Sequence, residues 1–215
     1  MKKNPRKKQS HNSFRYCNLQ RLVFLTVFAF WSMAVCVGAA EVQQTGAQRH
    51  IVRIPINDFT LVDQNGDRFE FKSAAGRVSV VSFVYTTCVD VCPLITAAMR
   101  QLQNRLPQEE RKRVLLISIT TDPEIDSPKV FRAYAQRYGA EFDNWAFLTG
   151  NLGALQNIWK NFGVRVKRQA RGLVDHTPLT AIVDQRQVMR LGYIGPSPDP
   201  KTVLTDVQAL LKEPR

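Results

Sequence analysis

Val78-Ser-Val-Val-Ser-Phe-Val-Tyr85, followed by Thr86-Thr-Cys-Val-Asp-Val-Cys-Pro93 and Leu94-Ile-Thr-Ala-Ala-Met-Arg-Gln-Leu102, is the stretch on which the fold turns. The first eight residues are an apolar, β-branched run, as in strands covered on both faces. Pro93 suits a first helical turn. Leu94, Ala98 and Leu102, with Ile95, Met99 and Leu106, then repeat at helical spacing until Pro107 ends the pattern. The unit is strand, loop, helix, with Cys88 and Cys92 at the junction.

Downstream of this unit, Val114 to Thr120 predicts a second buried strand. Ser127-Pro128 opens a helix carrying Phe131, Tyr134 and Ala135 before Gly139. That βαβα order implies a parallel sheet. Trp145 to Leu148 predicts a short strand, and Asn151 caps a helix with Leu155, Ile158, Trp159 and Phe162 inward, stopped by Gly163. Thr180 to Asp184 and Val188 to Ile194 read as an antiparallel hairpin, and Asp199-Pro200 starts a last helix. Upstream, Phe59 to Val62 and Arg68 to Phe71 flank Asp63-Gln-Asn-Gly-Asp67, a hairpin turn. With no twelve-residue loop ending in Glu, these acids do not make a calcium site. The expected class is therefore α/β, a thioredoxin-like fold with an N-terminal β-hairpin and an insertion, Val164 to Asp175, before the final hairpin.

The chain has 215 residues, 44% of them hydrophobic, and a formal net charge of +12. Seven of those charges, Lys2, Lys3, Arg6, Lys7, Lys8, Arg15 and Arg21, precede residue 22 with no acid among them. The +5 that remains is spread out, which excludes nucleic acid as a partner. Leu22 to Ala40 carries no charge, and a bilayer needs a helix of about 20 residues. The positive-inside rule then keeps residues 1–21 in the cytoplasm as a basic leader and exports the rest of the chain. Residues 22–40 are expected to be a retained single-pass anchor in the cell membrane, holding the domain on the extracytoplasmic, periplasmic side. Small residues at Val37-Gly-Ala-Ala40 keep signal cleavage open, which would leave a soluble periplasmic domain. Residues 41–50 are expected to be a tether and residues 51–215 the domain.

Of four cysteines, Cys17 falls in the leader and Cys36 in the apolar segment, so Cys88 and Cys92 alone reach the oxidising compartment. Their spacing closes too small a loop to staple a domain, so chemistry explains them better. At a helix N-terminus a thiolate is favoured. Four-residue spacing lets both sulfurs face one way, to close a disulfide or share a metal ion. Two thiolates select monovalent copper, and a third ligand would complete a trigonal site. Of the exported histidines, His50 belongs to the tether, which leaves His176, just ahead of the Thr180 strand. Asp175 is a candidate to orient its ring or, being adjacent in sequence, faces away from it. Asp90 is expected to cap its helix; Asp122 either caps or tunes the thiolates. Arg165, Lys167, Arg168 and Arg171 read as a solvated basic hairpin, or a rim that steers an acidic partner.

The residues 59–66 (FTLVDQNG), Thr87-Cys-Val-Asp-Val-Cys-Pro93, Thr121-Asp-Pro123 and Val174-Asp-His-Thr177 together resemble the Sco/SenC family, copper-handling assembly factors of cytochrome c oxidase. The resemblance runs from about Phe59 to the C-terminus. It implies that Cys88, Cys92 and His176 bind copper, that the cysteines form a reversible disulfide, and that the chain is membrane-tethered. The partner it implies is a copper-site subunit of the oxidase or another copper or thiol protein. Two positions depart from the family: Val89 replaces its usual Pro, and Glu124-Ile125-Asp126 follows Pro123 where an Arg is usual. Pro178 lies where thioredoxin-like oxidoreductases carry a cis-proline, although an ordinary trans proline at a strand start is by far the commoner state. The readings are thus a copper chaperone or a thiol–disulfide oxidoreductase using the Cys88/Cys92 pair; only the second would make the chain an enzyme.

Overall fold

The computed structural model describes residues 46–214. The leader, the 22–40 segment, Cys17, Cys36 and the first part of the expected tether lie outside the described residues. Among those described, no helix is long and apolar enough to cross a membrane.

The elements are β1 (Gln48–Pro55), β2 (Thr60–Val62), β3 (Arg68–Glu70), β4 (Val78–Val84), α1 (Val91–Arg105), α2 (Gln108–Arg111) and β5 (Val114–Thr120). There follow α3 (Pro128–Arg137), β6 (Trp145–Leu148), α4 (Leu152–Phe162), β7 (Val166–Arg168), β8 (Val174–His176), β9 (Leu179–Val183), β10 (Val188–Ile194) and α5 (Pro200–Leu211). Six strands form one sheet in the order β1-β10-β9-β4-β5-β6. β4, β5 and β6 run parallel, as the βαβα order requires, whereas β9, β10 and β1 are added antiparallel.

β4 and β5 are buried at every position, because both faces of the sheet are covered. Val80 and Val84 pack on one side with Ile95 and Met99 of α1, Phe131 of α3 and Val207 of α5. Val81 and Phe83 point the other way, toward Leu155 and Phe162 of α4 and Leu61 of the β2–β3 hairpin. The helix ends follow their signals: Ser127 accepts from the Val130 amide, Asn151 from Ala154, Asp199 from Thr202, and Gly163 closes α4 at φ 73°.

One expectation needs correction. The tether does not reach His50: β1 begins at Gln48 and pairs with β10, His50 opposite Gly192. β1 is an edge strand whose side chains are almost all exposed, so main-chain pairing holds it and no apolar alternation announces it. The insertion, by contrast, holds a hairpin, as its basic stretch was read. β7 and β8 make a separate antiparallel pair, with Val166 opposite His176.

Candidate metal centre

β4 ends at Val84 and α1 begins at Val91, so Cys88 lies in the connecting loop and Cys92 in the first helical turn. Both are free thiols. Cys92 is fully buried, whereas Cys88 is 9% exposed at the rim. The Cys92 amide, one of those a helix start leaves unpaired, donates to Cys88 Sγ at 3.5 Å. The Cys92 carbonyl accepts the hydroxyl of Thr96 at 2.8 Å, and that oxygen is in turn 2.7 Å from Tyr134 Oη.

His176 reaches this loop from β8, placing Nε2 3.6 Å from Cys92 Sγ. Its Nδ1 lies 3.1 Å from the Thr177 carbonyl. A carbonyl only accepts, so Nδ1 carries the proton and Nε2 presents a lone pair to the sulfur. Burial holds the imidazole below its ordinary pKa and hence neutral. The Tyr85 ring stands edge-on to it, centroids 5.8 Å apart.

The two thiols are unequal. Hydrogen bonding from the Cys92 thiol, with the amides of Cys92 and Asp90 and the Tyr85 hydroxyl adding to it, outweighs burial and lowers Cys88 to about 5. Cys92, as the donor to Cys88 and fully enclosed, is pushed up and keeps its proton. Burial raises Tyr85 to about 12. The pair in the apoprotein is one thiolate and one thiol.

The structure thus brings Cys88, Cys92 and His176 to one place. Among the described residues no group of three or more His, Cys, Asp or Glu is already arranged to hold a metal ion. What is preformed is the Cys92–His176 contact with Cys88 beside it. A cleft of about 560 Å³, lined by Arg165, Lys167, His176 and Pro178 among others, gives access to the imidazole.

Several supporting roles differ from expectation. Asp175 is exposed, and the ring hydrogen bond goes to the Thr177 carbonyl instead. Asp90 occupies the N-cap position of α1 without a side-chain cap bond. Pro178, by contrast, keeps its commoner reading: no described peptide bond is cis, and it is an ordinary trans proline. Asp122 caps nothing; it is buried and paired with Arg168, which is therefore not merely a solvated charge.

One residue went unread in the sequence. Asp126, fully buried, accepts the Thr86 amide at 3.2 Å, the Thr86 hydroxyl, and the Thr120 hydroxyl at 2.6 Å. It pins the entry to the cysteine loop. The signal was its place four residues after Asp122, behind Thr120-Thr121 and directly ahead of a helix.

The SCO1/SenC family model matches residues 50–212. The chain belongs to the SCO1/SenC family. This SCO1/SenC domain is 40% identical over 95 residues, 44% of the chain, to a SCO1 protein homolog of Bacillus subtilis. That match spans about half of the relative's length (49%). Among solved structures, it resembles BsSco, described as a member of the Sco family of cytochrome c oxidase assembly proteins with a disulfide switch. The TM-score is 0.67 at 27% identity, covering 79% of this chain and 100% of that one. It also resembles yeast Sco1 with copper bound, at TM-score 0.63 and 25% identity, covering 75% and 91% of the two chains. The SCO1/SenC match and these structures agree with the thioredoxin-like architecture described above.

Proposed function

We propose that this domain binds copper through Cys88, Cys92 and His176 and passes it by ligand exchange to a copper-site subunit of cytochrome c oxidase. The observation that carries the reading is the neutral Nε2 lone pair held 3.6 Å from Cys92 Sγ by a strand 84 residues away. A soft thiolate, a thiol that loses its proton on binding, and an imidazole form a donor set suited to both copper oxidation states. The solved copper-bound yeast Sco1 supports it. The apolar 22–40 segment would hold the domain at the outer face of the cell membrane, close to a membrane-embedded oxidase. The test is copper titration of the wild type and of Cys88→Ala and Cys92→Ala: one ion per wild-type chain, and weak binding by either variant. Undiminished binding by both variants would remove the thiols from the ligand set.

A second reading is favoured by the unequal thiols and by the disulfide switch of BsSco. The Cys88 thiolate attacks a partner disulfide, forming a mixed disulfide and releasing one partner thiolate. Cys92 then gives up its proton and attacks Cys88 Sγ, so the second partner sulfur leaves. The partner gains two electrons, and the Cys88–Cys92 pair loses them. This chemistry needs no imidazole ligand, so it survives His176→Ala, whereas copper binding does not.

A further inference from the structure

Both halves of the site hang from the turn between β5 and α3. Asp126 holds Thr86, two residues ahead of Cys88, and also takes the hydroxyl of Thr120. Thr120 Oγ1 in turn accepts the Asp122 amide at 2.8 Å. Asp122 Oδ1 accepts from Arg168 Nη2, and the same guanidinium nitrogen lies 3.2 Å from Glu124. Arg168 belongs to β7 and stands opposite Val174, two residues before His176. A continuous chain of contacts thus joins the strand pair that carries His176 to the loop that carries the cysteines.

The β7–β8 pair is not part of the six-stranded sheet, so main-chain pairing to that sheet does not place it. Val174 of β8 and the partly buried Val166 of β7 pack against the core, but contacts between two branched apolar side chains carry little directional preference. The directional constraint is electrostatic. The Asp122 side chain is wholly buried, and among the described residues its Oδ2 has no hydrogen-bond partner. A carboxylate so enclosed is costly without a cation, and among the described residues its cationic partner is Arg168. Glu124 beside it cannot serve. The demand of a buried charge therefore fixes where β7 lies, and the cross-strand register passes that position on to His176.

We propose that Arg168 and Asp122 are positioning residues for His176: their ion pair clasps the β7–β8 hairpin onto the β5–α3 turn and sets the imidazole against the thiols. The proposal deepens the copper reading and rests on it for its functional consequence.

The test compares full-length wild type, Arg168→Ala, Arg168→Lys, Asp122→Asn and His176→Ala. Copper affinity is measured by chelator competition, and amide hydrogen exchange across Val174–His176 is followed in the metal-free protein. The expected result for Arg168→Ala and Asp122→Asn is a loss of about 10- to 100-fold in copper affinity, the usual scale for residues that orient a ligand. Exchange in β8 rises while α1 and β4 stay protected, and Arg168→Lys recovers part of both. Affinity within about twofold of wild type, with unchanged β8 exchange, overturns the clasp. Should Arg168→Ala lose its whole fold, Asp122→Asn/Arg168→Gln, which strands no buried charge, gives the same two readouts. Equal copper affinity in wild type and His176→Ala would defeat the copper reading; faster β8 exchange in Arg168→Ala would still uphold the clasp.

Discussion

The amide of Cys92 donates to the sulfur of Cys88 across 3.5 Å, so the helix that buries one cysteine stabilises the negative charge of the other. Cys88 is the sulfur near the surface and the one that ionises; Cys92 is the enclosed partner that supplies hydrogen bonds.

This asymmetry sets a pH profile. Alkylation of the reduced, metal-free protein by iodoacetamide should label Cys88 first, with a rate that titrates near pH 5, while Cys92 stays unmodified until the protein unfolds. Cys92→Ala removes the main hydrogen bond to Cys88 and should move that titration up toward the ordinary thiol range of roughly 8 to 9. Stability depends on pH in the same sense. The folded value lies below the unfolded one, so ionised Cys88 contributes stability that is fully present above the ordinary thiol range. That contribution is lost as pH falls through about 5. A rate that titrates near 8.5 in the wild type would contradict this assignment.

Asp126 should matter to the fold as well as to the loop. Asp126→Ala strands the Thr86 and Thr120 donors in the core and should cost about 2–4 kcal/mol in urea unfolding. Asp126→Asn keeps one acceptor oxygen and should cost less. A loss below ~0.5 kcal/mol for the alanine variant, the range of surface substitutions, would show that the carboxylate holds nothing.

The edge strand offers a test remote from the site. Gly195 has φ 144°, and a Cβ there would lie 2.7 Å from the Ala47 Cα. Gly195→Ala should therefore displace the chain ahead of β1, lower stability by about 1–3 kcal/mol, and raise amide exchange in Gln48–Pro55 ahead of the rest of the sheet. Protection of β1 equal to wild type would mean that the backbone yields there without cost.

The central fold was legible because burial on both faces leaves a mark. Val78–Val84 and Val114–Thr120 are apolar runs that only a covered strand needs, and the caps at Ser127, Asn151 and Asp199 are short-range signals. β1 left no such mark, since an exposed edge is held through its main chain. The cysteines could be read from their spacing and His176 from export. The Arg168–Asp122 and Asp126–Thr86 contacts could not, because they join residues 46 and 40 positions apart and a polar residue carries no period that forecasts whom it will meet; Thr120, six residues from Asp126, was the one local hint. Asp175 follows the second of its two readings: adjacency in a strand sends neighbouring side chains to opposite faces, and it is exposed.

X-ray absorption at the copper edge, on the loaded full-length protein and on His176→Ala, decides whether the two sulfurs and the imidazole hold one ion. Two sulfur scatterers and one imidazole nitrogen are expected in the wild type, with the imidazole contribution gone in the variant. An identical spectrum from both proteins would contradict the three-ligand site.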